Sequence, residues 1–310
     1  MPRFPLGYLC VTSLCISLAC GGSDGASPSP PSLTGKILFI AGGPNGATRA
    51  DIYAVNPDGS GLTNLTRHPA YYDAPAPSPD GAFFVFYRSA QPSDSGDVFA
   101  IDADGTHLRQ LTFTPDYESG LAWRHDGKRL AFVRNRDIYT MAPDGSDVTR
   151  LTFDATDFKA SPAWSPAGDY IAYSRYIDPT AQYDIHRITA AGQNDTTLAA
   201  LDGDDLTPTW SAAGTSITFA HHESPLSHLY TVDLTTGVVA PVTTGSVIDQ
   251  WPSISPTGDT VAFIRAPYDP MVPLGPQDVY LLLPGSSTAV PVTSFAATKF
   301  AYVTAWTGHP

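Results

Sequence analysis

Few of the 310 residues combine the types and spacing of a chemical site. The densest group is His221, His222, Glu223 and His228, in the stretch HHESPLSH. Neutral imidazoles beside a carboxylate are a ligand set for a zinc-class ion. Pro225 breaks any helix that would array them together, and a polar loop between two strands is the competing reading, so no metal is expected. Two further sets are periodic. Arg88, Arg134, Arg175, His221 and Arg265 each stand two residues past an aromatic: Phe86, Phe132, Tyr173, Phe219 and Phe263. Asp73, Glu118, Lys159, Asp205 and Asp249 recur just before another repeated segment, with Tyr72, Tyr117, Phe158 and Tyr302 close by. Such cations can pair internally, each with a carboxylate on the next unit, because the guanidinium fork suits that geometry. Unpaired members would instead form a polar ring that grips a partner's peptide, terminus or loop. The run Asp102-Ala103-Asp104-Gly105 lacks the later ligands of a calcium loop and reads as a turn. No G-x-S-x-G elbow, phosphate loop, dinucleotide fingerprint or cysteine metal spacing occurs, so neither a catalytic residue nor a cofactor is expected.

The elements that must position these residues repeat. PAPSPDG, LAWRHDG, PAWSPAG, PTWSAAG and PSISPTG open five units, and their glycines, Gly81, Gly127, Gly168, Gly214 and Gly258, lie 46, 41, 46 and 44 residues apart. A second turn ends at Gly59, Gly105, Gly145, Gly192, Gly237 and Gly285. Before it run DIYAV, DVFAI, DIYTM, DIHRI, HLYTV and DVYLL, each alternating with the period of a half-buried strand. Asp-Gly and related pairs supply the φ > 0 residues that tight hairpins require. Four short strands per unit of this length is the pattern of a propeller blade.

Five units start in register at residues 73, 119, 160, 206 and 250. The segment 36–66 supplies strands two to four of another unit, and AYVTAW (301–306) supplies a lone first strand. The expected fold is therefore all-β: a six-bladed β-propeller of four-stranded blades, with the N- and C-terminal segments sharing the closing blade. Both charged sets then fall on one face, near the mouth of the central channel. The closing blade has Ala41 where the others have a cation. Trp123, Trp164 and Trp210 occupy one strand-one position, filled by Pro77 and Ile254 in the remaining complete units, and suit packing between blades. Trp251 stands outside that register, at the mouth, and is the aromatic expected to touch a ligand.

The N-terminal residues are of another kind. Arg3 is followed by an uncharged stretch, Leu6 to Ala19, which has the size of a signal-peptide apolar region. It ends in Leu18-Ala19-Cys20, which resembles the lipobox of bacterial lipoproteins, although Ser17 stands where a large aliphatic is usual. That resemblance implies acylation of Cys20; a plain secretory signal is the alternative. Residues 1–19 are read as signal, 20–34 as flexible tether and 35–310 as the propeller. All three cysteines, Cys10, Cys15 and Cys20, precede the body, so it has none for a disulfide.

PAWSPAGDYIAYSR…YDIHRI and its siblings resemble the propeller repeat of TolB proteins, which recurs in prolyl-oligopeptidase-type enzymes. The resemblance covers about residues 36–306 and implies the fold and the shared closing blade. It does not extend to the α/β domain that precedes the propeller in TolB, nor to the hydrolase domain of the peptidases. With a net charge of −13 and no basic run, a nucleic-acid partner is not expected. The reading that follows is a non-catalytic, monomeric scaffold of the bacterial cell envelope, lipid-anchored and facing the periplasm or the exterior. It would dock an envelope protein or peptide through its charged face or channel. The alternatives are a metal-dependent, pectin-type polysaccharide lyase and a carbohydrate or peptide recognition subunit.

Overall fold

The computed structural model describes residues 35–42, 50–67, 70–89, 95–154, 156–178, 182–258, 260–269, 277–294 and 300–306. Cys20, the signal and the tether lie outside the described residues. Among the described residues every regular element is a strand. In chain order these are β1 (Ile37–Gly42), β2 (Asp51–Val55) and β3 (Thr63–Asn64), then β4 (Tyr71–Pro77), β5 (Phe83–Ser89), β6 (Asp97–Asp102) and β7 (Arg109–Gln110). β8 (Glu118–Trp123), β9 (Leu130–Arg134), β10 (Asp137–Met141) and β11 (Thr149–Arg150) follow. Next come β12 (Phe158–Trp164), β13 (Tyr170–Ile177), β14 (Gln182–Thr189) and β15 (Thr196–Ala199). β16 (Asp204–Trp210), β17 (Ser216–Glu223), β18 (Leu226–Asp233) and β19 (Val239–Pro241) make the next group. β20 (Val247–Ile254), β21 (Val261–Pro267), β22 (Asp278–Leu282), β23 (Ala289–Pro291) and β24 (Phe300–Trp306) complete the chain.

Each group of four is an antiparallel meander, and one parallel bridge, Ser227 to Ile248, links β18 to β20. β24 pairs with β1, Ile37 opposite Trp306 and Gly42 opposite Phe300, so the sheet runs β24-β1-β2-β3. The first strands touch in the order β4, β8, β12, β16, β20, β24 and back to β4. The core lies between neighbouring sheets. Leu38, Ile40, Ile52 and Leu65 of one group pack on Phe84, Phe86 and Ile101 of the next.

Two repeated motifs prove to be one device. The threonine that closes strand four accepts the N–H that opens the core of strand three: Ile52 to Thr66 and Val98 to Thr112 at 2.9 Å, Ile138 to Thr152 at 3.0 Å, Val279 to Thr293 at 2.9 Å. The same hydroxyl donates to the aspartate before that residue, 2.7 Å for Thr152 to Asp137 and 2.9 Å for Thr293 to Asp278. The Leu-Thr and Asp-Ile-Tyr signatures are therefore two ends of a buried latch. The second-turn glycine has a separate duty. At φ 84°, Gly105 brings its backbone so near the preceding group that a Cβ would lie 2.9 Å from the Leu65 carbonyl oxygen. Gly145 and Gly192 meet Leu111 and Leu151 in the same way.

Candidate functional site

The two charged sets sit at one end of the groups, where strand two finishes and strand one begins. Strand pairing sets Glu118 opposite Arg134, Lys159 opposite Arg175, Asp205 opposite His221 and Asp249 opposite Arg265. The Glu118–Arg134, Asp205–His221 and Asp249–Arg265 pairs thus form inside each group, across adjacent strands, and not with a carboxylate on the next unit. The register equivalent in the first complete group is Tyr72, opposite Arg88. The Asp73 side chain lies outside the described residues; the Arg88 guanidinium stands 5.2 Å over Phe99. In the closing sheet the pair is Ala41 with Ala301.

Glu118, Asp205 and Asp249 are fully buried. Arg134 Nη2 reaches Glu118 Oε1 at 2.6 Å, and Arg265 grips Asp249 with two bonds of 2.7 Å. The bond to Asp249 holds the Arg265 guanidinium above its ordinary pKa. His221 Nδ1 lies 2.7 Å from Asp205 Oδ1, and burial pushes that carboxyl above the usual range. Lys159 breaks the pattern. Its buried ammonium crosses to Asp137 of the preceding group at 3.4 Å and donates to the Asp154 and Asp157 carbonyls at 3.2 Å each. Arg175 takes Asp157 instead, at 2.6 Å, and also pairs with Asp154 and Asp195. Burial tends to raise the Asp157 carboxyl, but its bond to Arg175 leaves it below its ordinary value. Glu118, Asp205 and Asp249 are thus engaged within their own sheets, whereas Lys159 is answered across to the preceding one.

The histidine stretch is not a loop. It is the β17–β18 hairpin, with His221 opposite His228 and His222 opposite Ser227. His221 Nε2 meets Glu223 at 3.1 Å, and His228 Nε2 meets the Gly245 carbonyl at 2.8 Å. Burial pushes His222 below the usual imidazole value. Among the described residues no three metal-ligating side chains converge.

A cavity of about 680 Å³ lies among the first strands. Every complete group has a register shift in its first strand, as between Ser119 and Ala122 or Gln250 and Ser253. The residue at that bulge has positive φ: Gly120 59°, Ser161 50°, Thr207 53° and Trp251 50°. A bulge adds a residue and re-aims its neighbours. Here it turns Gly120, Ser161, Thr207 and Trp251 into the cavity wall. The following residue is proline at 162, 208 and 252, and Pro75 takes the same place in the first complete group. Proline has no N–H, so the inner strand edges cannot recruit an added strand there. Among the described residues the wall contains no Asp, Glu, Lys or Arg; His125 and Tyr117 are its ionisable members there.

The tryptophans of the common register tie successive groups together. Trp123, Trp210 and Trp306 donate their indole N–H to the carbonyls of Ala76, Ala163 and Ser253 at 3.2, 3.0 and 2.9 Å. Trp164 is buried in the same position, yet its Nε1 has no partner among the described residues, and neither has Thr207 Oγ1. Both residues line the cavity. The repeat marks Trp251 as out of register and Trp164 as packing and is silent on Thr207; the signal of the latter two lies in a hydrogen bond not made.

Residues 46–178 match the family model described as TolB beta propeller domain. A protein TolB homolog of Chlorobium chlorochromatii (strain CaD3) is 30% identical over 142 residues, 44% of this chain and 31% of that protein's own length. The crystal structure of TolB from Acinetobacter baumannii superposes with a TM-score of 0.74 at 20% identity, covering 91% of this chain and 69% of that one. A chain of a nidogen/laminin complex superposes at 0.67 with 11% identity, covering 88% and 98%, so the fold alone reaches well beyond one activity. The repeat motifs, the meandering four-stranded sheets and these matches together show a β-propeller of TolB-like fold.

Proposed function

We propose that this chain is a non-catalytic binding module of the bacterial cell envelope, held by lipid on Cys20, that takes an uncharged partner segment into its axial cavity. The observation that carries the reading is the wall itself. Glu118 and Asp249 nearby are paired with Arg134 and Arg265, while the described cavity wall presents indole, proline and hydroxyl groups. Trp164 Nε1 and Thr207 Oγ1 are buried polar atoms that a partner's carbonyl or hydroxyl would satisfy. Trp251 supplies rigid contact area at small entropic cost, as interface aromatics do. The envelope placement rests on the likeness to TolB proteins and on the lipobox-like N-terminal residues.

The test is affinity capture from an envelope extract, with wild type and Trp251→Ala side by side. A stoichiometric protein retained by the wild type, lost with Trp251→Ala and indifferent to chelator is the expected result. Equal retention by both would move the contact out of the cavity. Cleavage of polysaccharide that stops with chelator would replace the binding role with a lyase.

A further inference from the structure

A second surface meets the cavity wall at Tyr117 and extends outward over the β9–β10 turn. Arg134 pairs directly with Asp137, so the turn is only Asn135-Arg136, with φ of 48° and 78°. Two positive φ values in a two-residue loop are the type I′ hairpin, whose twist suits the flanking strands. The connections between β5 and β6 (90–96) and between β21 and β22 (268–277) are longer, whereas Ser224-Pro225 between β17 and β18 is as short. The short turn is braced from both sides. Asn135 N–H donates to the Tyr117 carbonyl at 3.1 Å, and Lys159 N–H donates to the Arg136 carbonyl at 3.0 Å.

Around this low turn stand aromatics that water reaches. Phe113 is 77% exposed and Phe153 70%, each directly after the Leu-Thr latch of its repeat. Tyr117 is 54% exposed, and Phe158 is also exposed. The latch explains their placement. Thr112 and Thr152 are anchored inward, so the next side chain must point out. Exposed large aromatics gathered on one face mark interaction sites in soluble proteins.

The charge pattern says what kind of partner fits. Arg109, Arg124, Arg129, Arg134 and Arg150 each have a carboxylate: Asp102, Asp126, Asp147, Glu118 and Asp137. Arg136 is exposed and has no ion pair among the described residues; its guanidinium lies 3.8 Å over the Phe158 ring. Stacking leaves the guanidinium edge open for a bidentate bond to a carboxylate. Residues 109–159 hold eight Lys and Arg against eight Asp and Glu, whereas the whole chain has 17 against 30. The excess negative charge therefore lies outside this segment, and the two acids nearest the strip, Asp116 and Asp154, are engaged by Asn135 and by Arg175 and Lys159. One open cation is too few for a polyanion or an anionic lipid surface, which need clusters.

We propose that the Tyr117–Arg136–Phe158 strip, with Phe113 and Phe153 beside it, is a second docking surface. It would bind an acidic peptide segment of a partner protein. One carboxylate would take the Arg136 edge, and an adjoining apolar side chain would cover the exposed rings.

The experiment is selection of displayed random peptides on the full-length protein. Enriched peptides are then titrated by fluorescence anisotropy against wild type, Arg136→Ala, Phe113→Ala/Phe153→Ala and Trp251→Ala. All the altered strip positions are exposed, so an unchanged Tm certifies their fold. The expected peptides place Asp or Glu next to an aromatic or aliphatic residue. Their Kd weakens about tenfold with Arg136→Ala, as loss of one charged hydrogen-bonded contact implies. It weakens similarly with the double phenylalanine variant and is unchanged by Trp251→Ala. Peptides without acids, no enrichment at all, or a Kd indifferent to Arg136→Ala would overturn the proposal. Sensitivity to Trp251→Ala alone would assign the peptides to the axial cavity instead.

Discussion

Asp249 is fully enclosed by protein, and a carboxylate there is tolerable only because Arg265 meets both of its oxygens. Removing one partner of such a pair leaves a buried charge with nothing to offset its lost hydration. Arg265→Ala should therefore destabilise the protein by about 3–5 kcal/mol in urea unfolding at pH 7. A loss under about 1 kcal/mol, typical of exposed pairs, would mean that water reaches Asp249. Both members of this pair were legible in the sequence, because both recur with the repeat. Their direction was not. Period-two alternation assigns a side chain to a face of its strand, but which face the neighbouring sheet covers depends on residues some 45 positions away. Lys159 shows the same limit. It stands in an acid's place, and only the packing of β10 beside β12 explains how its charge is answered by Asp137.

At the scale of the strand, the four tryptophans of the common register separate packing from hydrogen bonding. Trp210 donates to Ala163 of the preceding group, whereas Trp164 fills the equivalent place without a partner for its N–H. Trp210→Phe should cost about 1 kcal/mol more than Trp164→Phe, the net worth of one intramolecular bond. Parallel denaturant titrations of the two variants measure the difference. Equal losses would show that Trp164 finds a water or a ligand in solution. The role of this register as inter-blade packing was legible from its recurrence. The bulge that aims Trp251 at the cavity was visible only as a residue out of step, because a register shift is a property of two paired strands.

Across the whole molecule, β24 is the piece that the sequence places farthest from its partner. It is hydrogen-bonded to β1 and touches both β20 and β4, so it stands between the first and last complete groups of the chain. Without residues 300–306, β1 would present an unpaired edge rich in buried aliphatics, a template for strand addition. The truncated protein should associate or lose cooperative unfolding, and sedimentation at several concentrations reads this out. A monomer that unfolds as the full chain does would show that the remaining sheets hold together without β24.

The amino-acid sequence by itself determined the strand types, the unit length, the turns and the pairing of the chain's two ends. Each is written in local, repeated chemistry: Asp-Gly turns, alternating apolar residues and the Leu-Thr and Asp-Ile-Tyr signatures. Only the tertiary structure decided that Glu118, Asp205 and Asp249 are answered by the facing strand, that the described cavity wall holds no Asp, Glu, Lys or Arg and that exposed aromatics stand around Arg136. The reason is physical. Burial, and with it the energy of a charge or a ring, is set by what the neighbouring sheet covers, and in a stack of repeated sheets that neighbour comes from another repeat or the far end of the chain.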